Sequence, residues 1–310
     1  MLETNKIAVL MATYNGEKYV AEQISSLLAQ TEKNWELFIH DDGSTDHTAD
    51  VLKNYREQNP DRIHILSGPA CGGAKDNFFF LMRQVKAPYV LFCDQDDVWL
   101  PEKIELEFRR IKELEAQFGT DTPILVFSDL SVVDSKLNLI SEKMSVYQKL
   151  DPGHIKLKDL MIQNVITGCT VMMNRVLAEK ALQVQTTNSI IMHDWWCALA
   201  AACLGKISYV DKPLVLYRQH KDNSVGAKNV SSLRYLINHS IGQSWVRTRL
   251  QNKMIQAQFF AETYDFPENE MFQSFSHLYK SNKCARMYFY FCNQLYMSGW
   301  QRNLGLIIWG

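Results

Sequence analysis

Three carboxylates, Asp94, Asp96 and Asp97, stand within four positions directly after the apolar run Val90-Leu91-Phe92-Cys93. Acids crowded at the end of a buried strand lose hydration and repel one another, so they are costly unless a cation compensates them. Hard divalent ions such as Mg2+ or Mn2+ take oxygen ligands and often share them with substrate phosphates. The cluster therefore reads either as a diphosphate–metal site or as a solvated turn capping the helix that Pro101 opens. Two more polar turns follow short apolar runs: Thr13-Tyr14-Asn15-Gly16, and Asp41-Asp42-Gly43-Ser44-Thr45-Asp46. Their carboxylates can accept hydrogen bonds from a pyrimidine N–H or a ribose hydroxyl, although Asp and Ser are also routine helix caps.

Other reactive side chains stand alone. His193-Asp194-Trp195-Trp196 puts an acid at a helix start beside two large aromatics. Such burial raises a carboxyl's pKa, which suits a general base, but an N-cap beside core tryptophans has the same sequence. Tyr217-Arg218-Gln219-His220 offers a guanidinium able to clamp a diphosphate and an imidazole able to complete a metal sphere. Lys75 and Asn77 follow a glycine loop and are weaker nucleotide contacts. In Thr167-Gly168-Cys169-Thr170, Gly168 either lets a substrate approach the backbone or marks a bulge.

The elements that must position these groups alternate. Strands are predicted at Ile7–Met11, Trp35–His40, Ile63–Leu66 and Tyr89–Cys93, with helices over 17–30, 47–58, Phe78–Val85 and 101–117. This βαβαβαβα order implies a largely parallel sheet with helices on both faces. Ligands bind at the carboxyl ends of such strands, so the turns after strands one, two and four share one crevice. Further on, strands are expected at Ile124–Ser128, Ser131–Ile140 (with a turn), Asn164–Met173, Ile207–Val210 and Leu214–Tyr217. Short helices are expected at 158–162 and His193–Leu204, and 230–306 reads as helical and aromatic-rich.

The 310 residues are 46% hydrophobic and 22% charged, enough for a large α/β core plus an extension. A net charge of −1 gives no footing for nucleic acid. Residues 230–310 nevertheless carry eight Lys/Arg against four Asp/Glu, leaving about −5 on the rest. Seven scattered cysteines without a CxxC pair fit a reducing compartment. No apolar stretch is long enough to span a bilayer, and the polar start Met1–Lys6 lacks a signal-peptide core. The expected location is cytoplasmic, with peripheral contact at the inner face of the membrane as an option.

The three separated motifs Met11-Ala12-Thr13-Tyr14-Asn15-Gly16, Asp41-Asp42-Gly43-Ser44-Thr45-Asp46 and Asp94-Gln95-Asp96-Asp97-Val98-Trp99 resemble the family 2 glycosyltransferases of the GT-A fold. Order and spacing fit across about residues 5–220. The resemblance implies a Rossmann-like, mostly parallel sheet flanked by helices over residues 1–225, with a nucleotide-sugar half (1–120) and an acceptor half (121–225). A helical C-terminal region (226–310) follows. It implies that Thr13, Tyr14, Asn15, Asp41 and Asp42 line the nucleotide pocket. Asp94, Gln95, Asp97 and Arg218, with Lys75 and Asn77, complete the donor contacts. Asp96, with His220, would hold Mg2+ or Mn2+. Asp194 becomes the base that deprotonates the acceptor hydroxyl for inverting displacement, and Gly168, Cys169, His193 and Trp195 would border the acceptor. His193, where many relatives carry Glu, resembles the rhamnosyltransferase-like branch. That branch implies dTDP-L-rhamnose as donor, with UDP- or dTDP-hexoses as alternatives, and a lipid-linked bacterial cell-surface polysaccharide as acceptor.

Two other classes compete with this reading. A nucleotidyltransferase needs a basic Gly-rich loop near the start, and the first turn has no Lys or Arg before Lys18. A non-catalytic sugar-nucleotide-binding protein would keep the pocket without needing Asp194. At the C-terminus, Met287-Tyr288-Phe289-Tyr290-Phe291 and Leu304-Gly305-Leu306-Ile307-Ile308-Trp309, interspersed with Arg286 and Arg302, read either as a homodimer interface or as a face resting on an anionic membrane.

Overall fold

A computed structural model of the chain describes residues 5–221 and 243–309. The boundary expected near Asn223–Val230 lies outside the described residues. Strands β1 (Ile7–Thr13), β2 (Trp35–Asp41), β3 (Ile63–Ile65) and β4 (Tyr89–Cys93) pair in parallel in the order β3-β2-β1-β4. Helices α1 (Val20–Leu28), α2 (Thr48–Gln58) and α3 (Ala74–Gln84) connect them. Both faces of β1 are covered, which is why its sequence is nearly continuous in apolar residues. Ala8 and Leu10 enter one core, and Ile7, Val9 and Met11 enter the other on the opposite face.

The second half of the sheet changes direction. After β5 (Val98–Trp99) and α4 (Lys103–Phe118) come β6 (Ile124–Val133), β7 (Leu139–Ser141), α5 (Met144–Gln148) and α6 (Leu157–Ile162). Then follow β8 (Val171–Asn174), α7 (Arg175–Ala181), α8 (His193–Leu204) and β9 (Lys206–Arg218). The full order is β3-β2-β1-β4-β8-β6-β9-β5, with β7 beside β6. Strand β8 is antiparallel to both neighbours, β4 and β6. Parallel pairing thus joins the first four strands and, separately, β6 with β9, with antiparallel β8 between the two sets, and a single sheet runs through both expected halves.

Three segment readings change. The run Asn164–Met173 is not one strand: Gly168–Thr170 forms a 3-10 turn and only Val171–Asn174 pairs. An apolar run long enough for a strand cannot by itself reveal a turn at its small residues. The strand expected to restart at Ser131 is part of β6, whose ten residues are all buried. The two short strands expected over 207–217 are one strand, β9, whose pairing with β6 shifts register near Asp129 and Ser131.

Beyond the sheet lie α9 (Gln243–Thr263), α10 (Asn269–His277), α11 (Lys283–Cys292) and α12 (Trp300–Trp309). Trp196 on α8 anchors them, with its ring 5.2 Å from Phe260 and 5.9 Å from Tyr264. Phe260, Phe272 and Phe275 are fully buried in the same core as β1 and β4. No described helix is long and apolar enough to cross a membrane.

Candidate active site

Strand β4 delivers its acids into a crowded pocket. Asp97 is fully buried; its Oδ1 accepts the Arg218 backbone N–H at 3.1 Å. Its Oδ2 has no nitrogen or oxygen partner and lies against the Cys169 thiol. Burial, then Asp96 and Asp94, push the Asp97 carboxyl well above the usual range. Asp94 is pushed up to about 7, by burial first and then by Asp96 and Asp194. Asp96 is paired instead, with an oxygen 2.6 Å from His220 Nε2.

Asp194 enters from the first turn of α8 and is only 8% exposed. Its Oδ1 accepts the Trp195 N–H at 2.6 Å, and the Gly168 N–H also donates to the carboxylate. Burial outweighs these bonds and raises its pKa to about 7. The 3-10 turn must come this close: a Cβ on Gly168 would stand 3.0 Å from His193 Nε2 and 3.6 Å from the Asp194 Cβ. His193 is buried with neither ring nitrogen partnered, and burial holds its pKa down at about 3. It is therefore a neutral ring, stacked on Phe78 at 4.1 Å and met edge-on by Phe92 at 4.6 Å.

The turns after β1 and β2 are laced together and tied to β4. Thr13 Oγ1 donates to Asp41 at 2.8 Å, and Asp41 also accepts the Ser44 N–H and hydroxyl at 2.8 and 2.6 Å. Asn15, in a left-handed conformation with φ 47°, accepts the Thr45 N–H at 2.8 Å and donates its own N–H to Ser44 Oγ at 2.8 Å. The Gln95 amide bridges the Tyr14 backbone, accepting its N–H and donating to its carbonyl, both at 2.9 Å. The Tyr14 ring is left exposed at the rim. Asp42 accepts the backbone N–H groups of Cys71, Gly72 at 3.1 Å and Gly73 at 2.7 Å.

The expected residues thus divide. Thr13, Tyr14 and Asn15 stand at the end of β1, Asp94, Asp96 and Asp97 follow β4 with His220 bonded to Asp96, and Gly168, Cys169, His193 and Asp194 approach these acids from the 3-10 turn and α8. Several others are committed to the protein itself. Arg218 is buried, donating to the Asp96 carbonyl at 2.8 Å, the Ser135 carbonyl at 3.0 Å and the Glu22 carboxylate, so it is not free to clamp a diphosphate. A guanidinium removed from water needs such partners. Lys75 reaches away to the Thr187 and Ile190 carbonyls at 2.8 and 3.1 Å. Buried Asn77 holds His40 through its side chain at 2.8 Å and its carbonyl at 3.1 Å. Trp195 donates Nε1 to the Leu160 carbonyl at 2.6 Å and packs in the core rather than lining an acceptor cleft. Gln95 and Asp41 shape the donor turns as braces. Tyr19 carries no motif that marks it, yet its ring lies 4.8 Å from that of His220 and 4.6 Å from the Arg218 guanidinium.

The pocket suits a hard cation. It holds a buried Asp97 carboxylate oxygen with no nitrogen or oxygen partner, and close to it Asp96, whose own carboxylate is bonded to His220 Nε2. Among the described residues, Asp94, Asp97 and Cys169 also bring ligand atoms within 4.8 Å of one another.

The chain is similar to known proteins over most of its length. The family model described as "Glycosyl transferase family 2" matches residues 8–179, which span β1 to α7. The dTDP-rhamnosyl transferase RfbG of Shigella flexneri is 29% identical over 262 residues, 80% of this chain and 86% of that protein. An Escherichia coli protein, the UDP-Glc:alpha-D-GlcNAc-diphosphoundecaprenol beta-1,3-glucosyltransferase WfgD, is 26% identical over 172 residues, 55% of this chain and 61% of that protein. The structure of the mannosyltransferase PcManGT from Pyrobaculum calidifontis, in complex with GDP-Man and Mn2+, superposes with a TM-score of 0.54 at 17% identity. That match covers 96% of this chain and 78% of that one, and it shows a GT-A fold.

Proposed function

We propose that this chain, which belongs to glycosyl transferase family 2, is an inverting transferase that uses Asp194 as its base and Asp96 with His220 as protein ligands of Mg2+ or Mn2+. The observation that carries the reading is the meeting of Asp194 with the β4 acids. A buried carboxylate with its pKa raised to about 7 stands close enough to Asp94 for the two to repel. Such a group holds a proton only loosely near neutral pH, as general-base work requires. When bound, the divalent ion neutralises charge on the departing diphosphate.

The chain's own residues do the rest. Asp194 takes the proton of an acceptor hydroxyl. The acceptor oxygen forms a bond to the anomeric carbon as the bond from that carbon to the diphosphate oxygen breaks, and the nucleoside diphosphate leaves with the electron pair. The Gly168 and Trp195 N–H groups fix the Asp194 carboxylate. Asp94 faces the donor's ribose and sugar, and Thr13, Tyr14 and Asn15 form the wall for its nucleoside. Asp42 would reach the base by releasing the N–H groups of the 71–73 loop.

The donor we favour is dTDP-L-rhamnose, supported by the likeness to RfbG and by His193 before the base. The acceptor we favour is a lipid-linked bacterial polysaccharide, supported by WfgD, named for a diphosphoundecaprenol substrate. The test is a panel of nucleotide sugars assayed for hydrolysis and transfer with Mg2+, Mn2+ or chelator, using the native chain and Asp194→Asn. Turnover of dTDP-rhamnose that needs metal and is lost in Asp194→Asn is expected. Preference for UDP-hexoses would move the donor assignment, and unchanged turnover in Asp194→Asn would remove the base.

A further inference from the structure

We infer that α11 and α12 form a docking surface for an anionic lipid bilayer. The first observation is a pattern of exposed side chains. On α12, Trp300, Leu304, Ile307 and Ile308 occupy positions i, i+4, i+7 and i+8, all are apolar, and all are exposed, Trp300 by 64%. That spacing is one helical face. On α11, Cys284, Tyr288, Phe291 and Cys292 repeat the same spacing, with Tyr288 and Phe291 each 73% exposed. Lys283 at the start of α11 donates its Nζ to the Ile308 carbonyl near the end of α12 at 2.9 Å. The start of α11 and the end of α12 therefore meet.

The second observation is charge. Residues 271–310 contain Lys280, Lys283, Arg286 and Arg302 and no carboxylate side chain. Beside α11 lies a groove of about 710 Å3 lined by His154, Lys156, Lys158, Asp159, Phe291 and Tyr296, among others. Neither Lys156 nor Lys158 forms an ion pair with any described residue. The groove thus sets unpaired cations against an exposed aromatic edge. Aromatic and aliphatic side chains flanked by lysines suit the headgroup boundary of a membrane, where each nearby cation adds affinity for anionic lipid.

Charge also decides between a bilayer and a second copy of the chain. In a two-fold dimer the same patch faces itself, so cations would meet cations with only Asp159 of the groove lining to offset them. Anionic lipid phosphates offer counter-charge to Lys156 and Lys158 in the groove. The inference stands apart from the Asp94–Asp97 and Asp194 chemistry, so either reading can fail without the other.

The test is flotation of the whole chain with phosphatidylcholine vesicles, with and without phosphatidylglycerol, alongside nucleotide-sugar hydrolysis in lipid-free buffer. Binding is expected only with phosphatidylglycerol and should weaken as salt rises. Lys156→Glu with Lys158→Glu should weaken it by roughly tenfold or more. Trp300→Asp with Ile307→Asp should abolish it, and both pairs should leave hydrolysis unchanged. On the native chain, anionic vesicles should slow maleimide modification of Cys284 and Cys292, a readout that needs no variant. Equal binding to both vesicle types, no binding, or variants that float like the native chain would overturn the inference. So would a lipid-free dimer that Trp300→Asp dissociates, which would assign the face to a second copy.

Discussion

Replacing Gly16 by alanine should unlatch the donor turn from the β4 acids. A Cβ at this position would stand 2.2 Å from Gln95 Oε1 and 2.6 Å from its Cδ, so the Gln95 amide must leave. The end of a glutamine moves easily, and the cost is therefore the two bonds it makes to the Tyr14 backbone rather than the clash. Two neutral hydrogen bonds are together worth about 1–3 kcal/mol net. Tyr14 is exposed, so water replaces part of this, leaving about 1–2 kcal/mol. In a chain of this size that is a fall of a few degrees in Tm, of order 2–4 °C per kcal/mol. Because Thr13-Tyr14-Asn15 is loosened, KM for the donor should rise more than kcat falls. Urea unfolding and initial rates on Gly16→Ala, Gln95→Ala and the double variant make the cycle. Once Gln95 is gone, Gly16→Ala should cost almost nothing further. Full additivity of the two changes, or an unchanged donor KM in Gly16→Ala, would refute the reasoning.

Asp194→Asn should lower kcat by about 10^2–10^4. In the native enzyme kcat/KM should fall about tenfold per pH unit below about 7, where Asp194 gains its proton. The same shift has a stability sign. Its folded pKa exceeds the unfolded value, so ionised Asp194 destabilises the fold above that range, and the penalty fades as pH drops toward the unfolded pKa. Asp194→Asn should therefore be the more stable protein at pH 8, by as much as a few kcal/mol, with the gain shrinking by pH 4, as thermal unfolding would record. His220→Ala should raise the Mn2+ concentration giving half-maximal activity by roughly tenfold or more, measured by metal titration, with donor binding less affected. Arg218→Lys should cost about 2–4 kcal/mol in urea unfolding, because a lysine cannot satisfy the carbonyls of Asp96 and Ser135 together with Glu22. If Arg218 gripped the diphosphate instead, its replacement would raise donor KM with stability intact.

Much of the site was legible because strand ends announce themselves. Short, fully apolar runs such as Tyr89–Cys93 break into polar clusters, and parallel pairing sets those clusters side by side. What stayed hidden was which partner each polar group would find. Asp42 is satisfied by the N–H groups of 71–73, and Lys75 by carbonyls at 187 and 190, because folding brings distant backbone within reach. Local spacing carries no trace of such partners. Asn164–Met173 misled for another reason: its apolar content reflects burial, while the 3-10 turn inside it is required by the approach of Gly168 to His193 and Asp194.

Arg218 gives the site a direction in time. Its side chain clasps Glu22 on α1, the Asp96 carbonyl after β4 and the Ser135 carbonyl after β6, while its N–H holds Asp97. On the ribosome, the strands β1–β4 emerge long before this residue. A nascent chain that has not yet reached Arg218 can assemble those strands but leaves the acids after β4 unclasped. Competence at this pocket is therefore acquired only after β9 is made, when that strand closes over groups made near the beginning.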